Sequence, residues 1–484
     1  MRMQMKIDRY NWPRIHAAWC YFVFLYYMVW PVQPLFWGKF HNTYFITAAI
    51  IAVSFNLYFR HSHKNRETLL LGLFWVWFCL AKILNGDGTL TENYYRVISL
   101  AVCFSFVSVG LAASKQLRKV FLDWFSIVVT LFYAAVGILC LYSMLSGKTV
   151  WNPISGDIIA QSVAEEQVVR LDLFTSHPNR TGGIFLIPFC LMIYQFFRCK
   201  NKIWRIPILF AFLEFYLCIG LTYSRSCMAA ASVCVALLAI TLALKRISDQ
   251  RVLLRIVVVI VLTLLVTPLF YVSFSWSTGL FGKSAAAYHS QEVVTAQSEA
   301  GDSKIETQNE AGSQATKPTD INNTFEDNRN LGKQMKTLNG RTRLIKAIFA
   351  AYKEHPVYML LGTNDDTILR YADQLRYGNK YYEGLRYYNH MHNFLLQVLM
   401  MTGIPGFLLV LAFSILLLIR MIRVFFSESS VQEKLLICPL AVLFVHFMLE
   451  AGLFTDVDVR SLFFFLMAGF VLGTENRKKS METE

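Results

Sequence analysis

From Ile256 to Phe274 the chain runs without one charged residue, and from Ile208 to Leu221 it is interrupted only by Glu214. A soluble helix keeps a polar face and a half-buried strand alternates. Apolar blocks of this length, repeated along a chain, need hydrocarbon as their solvent. Charged residues make up 16% of the chain and hydrophobic ones 55%, whereas a soluble domain carries about a quarter charged residues. The expectation is an all-α integral membrane protein of about 12 transmembrane helices, with a large extracytoplasmic loop containing short helices.

Spans are expected near 15–34, 42–59, 68–84, 94–113, 120–146, 181–197, 204–223, 227–244, 252–274, 394–419, 435–454 and 460–474. They divide the chain into an N-terminal transmembrane region of about nine spans (1–274), a large extracytoplasmic loop (275–393), and a C-terminal region of about three spans with a cytoplasmic tail (394–484). The apolar run Ala17 to Pro31 lacks a small-residue cleavage site after it and reads as a retained span.

The joins alternate in charge. Tufts such as Arg60/Lys64/Arg66, Lys115/Arg118/Lys119, Arg198/Lys200/Lys202/Arg205 and Arg420/Arg423/Lys434 fall on one side with both termini, while the opposite joins include NGDGTLTEN and TDVDV, which have no Lys or Arg. By the positive-inside bias both termini are expected in the cytoplasm. This scatter also explains the net charge of +14 without nucleic acid, since no zinc finger, RNA-binding or helix-turn-helix pattern accompanies it. All ten cysteines lie in or beside apolar blocks and none in 275–390, so neither a disulfide scaffold in the loop nor a metal site is expected.

Within the long loop, 283–320 is polar and poor in bulky apolar residues, and reads as disordered. Structure is expected to resume after the Asn339-Gly340 turn. Leu344, Ile345, Ile348, Ala351 and Tyr352 lie at helical spacing from Arg341 to Lys353, and Pro356 follows. A Tyr- and Arg-rich stretch, 371–388, reads either as an interfacial aromatic belt or as a surface that stacks on sugar rings.

Three places combine charge with tight geometry. Thr222-Tyr223-Ser224-Arg225-Ser226 is a hairpin between spans, whose Arg225 either snorkels at the interface or offers its fork to a phosphate. Arg341 opens a loop helix, where free N–H groups favour an anion over another cation. Asn389-His390-Met391-His392-Asn393 leads into the span at Phe394, and a histidine there is either an interfacial polar group or a general base.

These pieces in this order resemble the O-antigen ligase and O-antigen polymerase family. The matching residues are Ser224-Arg225, Gly340-Arg341, His355-Pro356, Leu361-Gly362, His392-Asn393, Leu396-Gln397 and Gly403-Ile404 with Gly406, together with Pro178-Asn179 ahead of Thr181-Gly182-Gly183. The resemblance covers roughly 175–410, and 283–320 is longer than the family pattern needs. It implies a membrane glycosyltransferase that moves a glycan from a polyprenyl-diphosphate-linked donor to a glycan or glycolipid acceptor at the outer face of the bacterial cytoplasmic membrane. No metal, cofactor or nucleic acid is implied; the other partner is the lipid bilayer. Carried over, Arg225 and Arg341 hold the donor diphosphate, His392 is the catalytic base or acceptor-positioning group, and Arg180 and Asn393 support them. Polymerisation and ligation use the same residues and are not separated here. The rival reading is a transporter or flippase of a lipid-linked glycan, for which Glu214 and the pair His446 and Glu450 are the mid-span candidates.

Overall fold

The computed structural model describes residues 65–85, 90–113, 115–151, 158–165, 168–173, 178–245, 254–274, 344–363, 393–427, 434–450 and 459–482, with the separate positions 247, 276–277, 367–368, 371 and 452–454. In hydrocarbon every backbone N–H and C=O must be satisfied within the chain, so the apolar blocks form helices. These are α1 (Arg66–Asn85), α2 (Leu90–Ala112), α3 (Lys115–Ser146), α4 (Pro178–Arg198), α5 (Arg205–Leu221), α6 (Arg225–Leu244) and α7 (Leu254–Phe274). After them come α8 (344–354), α9 (Val357–Leu361), α10 (Phe394–Phe426), α11 (Ile437–Leu449) and α12 (Val459–Glu482).

Among the described residues, α1, α3, α4, α6, α7 and α10 are long and apolar enough to cross a bilayer; α5, α11 and the apolar part of α12 are shorter. Each expected span from 68–84 onward falls on one of these helices. The expected spans 15–34 and 42–59 lie outside the described residues, as does 283–320.

One segment departs from the all-helical expectation. Three described segments between 150 and 173 form an antiparallel sheet in the order β1 (Val150–Trp151), β2 (Ile158–Glu165), β3 (Val168–Leu173), with Gln161 opposite Asp172 and Val163 opposite Arg170. The β-branched residues Ile158, Ile159, Val163, Val168 and Val169 favour a pleated surface. The sheet sits on the helix ends: Ser143 Oγ of α3 donates to Ala160 O at 3.4 Å, and Thr181 Oγ1 of α4 accepts from Leu173 N at 2.9 Å.

The centre of the bundle is α4 and α12, whose side chains are buried almost throughout, from Thr181 to Tyr194 and from Val459 to Leu472. α12 lies tightly along α2 because Gly110 faces Gly469, and a Cβ on Gly110 would come within 2.6 Å of Leu466 O. Small residues permit that approach where no hydrophobic force draws helices together. Arg118 pins the same pair from one end, donating to Ala113 O, Phe470 O and Gly473 O. The helices alternate in direction. One end, here the basic end, carries Arg118, Arg198, Lys200 and Arg420; the other, the loop end, carries the sheet, the 222–224 hairpin and α8–α9.

Candidate functional site

At the loop end the structure explains two of the resemblance motifs as one joint. Gly362 caps α9 at φ 73 and ψ −170, and Gly403 breaks α10 at φ 65 and ψ −168. Both lie in a region of backbone space that is essentially open to glycine alone. The two glycines face each other's backbones: a Cβ on Gly403 would lie 2.5 Å from the carbonyl oxygens of Met359 and Leu360, and one on Gly362 would lie 2.6 Å from Met401 O. Around this contact Thr363 N donates to Met400 O at 2.6 Å, Tyr352 Oη to Leu399 O at 2.6 Å, Trp77 Nε1 to Thr402 O at 2.9 Å, and Asn85 Nδ2 to Gly362 O. Leu361-Gly362 and Gly403-Ile404 are therefore a clasp that fastens the loop helices α8 and α9 to the kink of α10. Burial raises the Tyr352 phenol above its ordinary range, so it stays a donor to Leu399 O through the physiological range.

The hairpin with Arg225 is locked by its own hydroxyls. Thr222 Oγ1 donates to Ile219 O at 2.7 Å, and Ser224 caps α6 by accepting from Cys227 N at 3.4 Å. Tyr223 takes φ 50 to close the turn. Arg170 of β3 bridges outward elements, donating to Thr222 O at 2.9 Å and to Asn179 Oδ1 at 3.2 Å. Thr222, Ser224 and Ser226 are buried while Arg225 is exposed, which leaves the guanidinium as the residue this hairpin presents. Arg180 is half-buried in the first turn of α4. The two first turns touch, since Cys227 Sγ donates to Asn179 O at 3.4 Å. Two arginines thus lie in the opening turns of two adjoining helices, whose N-termini add partial positive charge.

Asn393 has a structural task. Its side-chain oxygen caps α10 by accepting from Leu396 N at 3.0 Å, and its Nδ2 donates to Met448 O at 2.7 Å. It joins the start of α10 to the end of α11, two residues before Glu450. Gln397, its neighbour in the motif, is buried and donates to Met401 Sδ at 3.6 Å. His392 and Arg341 lie outside the described residues, as does His390.

A buried polar chain, of which the sequence singled out Asn179, His446 and Glu450 but not Arg460 or Cys227, runs beneath these groups. Arg460 Nη1 donates to His446 Nε2 at 3.0 Å; a guanidinium can only donate, so the ring proton sits on Nδ1, 3.5 Å from Cys227 Sγ. Glu450 Oε1 accepts from Asn179 Nδ2 at 2.5 Å and from Ser226 Oγ at 3.5 Å. Gly183 leaves room for the His446 and Arg460 side chains, since a Cβ there would lie 2.5 Å from His446 Nε2. The signal for this cluster was in the sequence, as His446 and Glu450 one turn apart within an apolar run. Their pairing with groups on α4, α6 and α12 was not visible there. Assembled in this way, they tie four helix ends into a fixed frame beneath Arg180 and Arg225.

Residues 208–411, from α5 into α10, match the model of the O-antigen ligase family. Over that stretch, which is less than half of its length, the chain is similar to the O-antigen ligase family. The match supports a membrane protein with a glycan-transfer role. The matched stretch contains Arg225, Arg341, His392 and Asn393, while Arg180, His446, Glu450 and Arg460 lie outside it. Comparison with curated proteins finds no match.

Proposed function

We propose that the protein transfers a polyprenyl-diphosphate-linked glycan to a sugar hydroxyl of a glycan or glycolipid acceptor, at the outer face of the bacterial cytoplasmic membrane with both termini in the cytoplasm. The observation that carries the reading is the exposed Arg225 on a locked hairpin, next to the half-buried Arg180, at the end of the bundle where Asn393 begins α10. A diphosphate leaving group gathers negative charge as the glycosidic bond breaks, and guanidinium forks at that height stabilise it. Arg341, which the family match includes, is assigned to the same diphosphate. His392 is one peptide from Asn393 and is assigned the acceptor proton; a histidine with an ordinary value of about 6.5 accepts a hydroxyl proton near neutral pH. No metal takes part in this scheme.

The test is the lipid-linked glycan content of cells that lack the gene. Single repeat units accumulating on the carrier indicate a polymerase, and long chains on the carrier indicate a ligase. An unchanged pool of carrier-linked glycan, with surface glycan also unchanged, would refute glycan transfer by this protein.

A further inference from the structure

α3 and α5 pack against each other around Gly137. There the Glu214 carboxyl lies over Gly137, and Cys218 Sγ approaches Gly137 O at 3.9 Å. Between that contact and the basic end the two helices flank a groove of about 1220 Å³, floored by Met192, Tyr194 and Gln195 of α4. One wall is the α3 face through Ile127, Leu131, Ala134 and Ile138, and the other is the α5 face through Phe210 and Ala211. Glu214 Oε1, shielded and without a hydrogen-bond partner among the described residues, closes the inner end.

The length and charge of this groove select its occupant. From Ile127 to Ile138 the wall rises about 16 Å, close to half of a hydrocarbon core of about 30 Å. The groove therefore spans one leaflet and stops at the contact, whereas a transmembrane helix of a partner would have to continue past it. At the basic end Asp123 is already neutralised: Oδ1 accepts from Arg198 Nε at 3.1 Å and from Tyr194 Oη at 2.9 Å, and Oδ2 from Arg198 Nη2 at 3.1 Å. Lys200 lines this mouth, Lys119 lies one turn before Asp123 on the same face of α3, and Lys202 follows two residues after Lys200. All three are exposed and have no carboxylate partner among the described residues. Trp204 lines the mouth as well, where indole rings settle at headgroup height.

We propose that this groove binds an anionic glycerophospholipid of that leaflet, one acyl chain along the α3 wall and its phosphate against Lys200 and Lys119. The site is separate from the arginines at the loop end and stands or falls independently of the glycan-transfer reading.

The experiment is native mass spectrometry of the full-length protein released from vesicles of phosphatidylcholine and phosphatidylglycerol in equal parts. The wild type is expected to retain one phosphatidylglycerol at least tenfold more often than phosphatidylcholine. Ala134→Trp fills the groove and should abolish retention of both, with Ala211→Phe on the opposite wall as the replacement if the first variant unfolds. The double variant Lys119→Gln, Lys200→Gln should retain both lipids equally. Leu265→Trp, on the outward face of α7, should behave as wild type. Equal retention of both lipids by the wild type, or unchanged retention in both groove-filling variants, would overturn the proposal. A dimer that is lost on filling the groove would assign the groove to a second copy and overturn it too.

Discussion

Replacing Gly403 with alanine would drive a methyl group into the backbone of α9. At φ 65 and ψ −168 a residue with a Cβ is strained by about 1–3 kcal/mol. The added Cβ would also lie 2.5 Å from two carbonyl oxygens, of Met359 and Leu360. These are backbone atoms, so no side chain can rotate away, and overpacking of this kind costs about another 1–3 kcal/mol. The hydrogen bonds that close the clasp are Thr363 N to Met400 O, Tyr352 Oη to Leu399 O and Asn85 Nδ2 to Gly362 O, and at about 1 kcal/mol each they hold it with about 3 kcal/mol. The strain of about 2–6 kcal/mol matches or exceeds that, so relief comes by releasing α8 and α9 from the α10 kink. The transmembrane helices themselves stay in place. The assay is hydrogen exchange across 344–363 in reconstituted protein. At about 1.4 kcal/mol per decade, and with about 3 kcal/mol as the most that releasing the clasp can cost, exchange there should rise by roughly one and a half to two orders of magnitude, while 178–198 is unchanged. Ile404→Ala, one residue away and partly exposed, should alter exchange by less than threefold. Unchanged exchange in Gly403→Ala, with normal membrane insertion, would refute the clasp.

Asn393→Ala removes a helix cap and a bond to Met448 O, and should lower stability by about 1–2 kcal/mol, read as a lower melting temperature in detergent. Arg225→Lys keeps the charge but loses the planar fork, so glycan transfer from lipid-linked donor should fall by about two to three orders of magnitude; full activity would leave Arg225 an interfacial residue. In matched membranes His392→Ala should remove the glycan ladder, a loss of about two to four orders of magnitude, and His390→Ala should be mild; the reverse pattern would move the base two residues upstream. Deleting 284–318 should leave product within a few-fold of wild type, because a tract of that composition supports no packed core, and complete loss with normal insertion would mean that it contacts substrate.

The helices were legible because their cause is local. A block such as Ile256–Phe274 must form a helix in hydrocarbon whatever it packs against, since its backbone has no other partner. The loop helix through Leu344, Ile348 and Tyr352 was legible for a similar reason, its apolar spacing and the stop at Pro356 both lying within a dozen residues. The sheet at 150–173 was not foreseen. Its strands are short and gain their stability from a neighbouring strand and from the ends of α3 and α4, which no window along the chain contains.

The same division runs through the site. The sequence determined that Arg225 sits in a hairpin between two spans, because hydroxyl-rich Thr222–Ser226 separates two apolar blocks, and the order of short motifs was enough to indicate the family that residues 208–411 match. Only the tertiary structure decided what each motif does. Leu361-Gly362 and Gly403-Ile404 stand far apart among the resemblance motifs, and in space they are a backbone-to-backbone clasp. Asn393 is a helix cap that joins α10 to α11. Glu450 finds Asn179, and Arg460 finds His446, which makes a frame of residues that a transporter reading would have taken as mid-span charges. A hydrogen bond or a close approach depends on distance in space, and Asn179 and Glu450 lie 271 residues apart in the chain. Periodicity and composition act over a few turns, and contacts across that separation are set by how the helices pack.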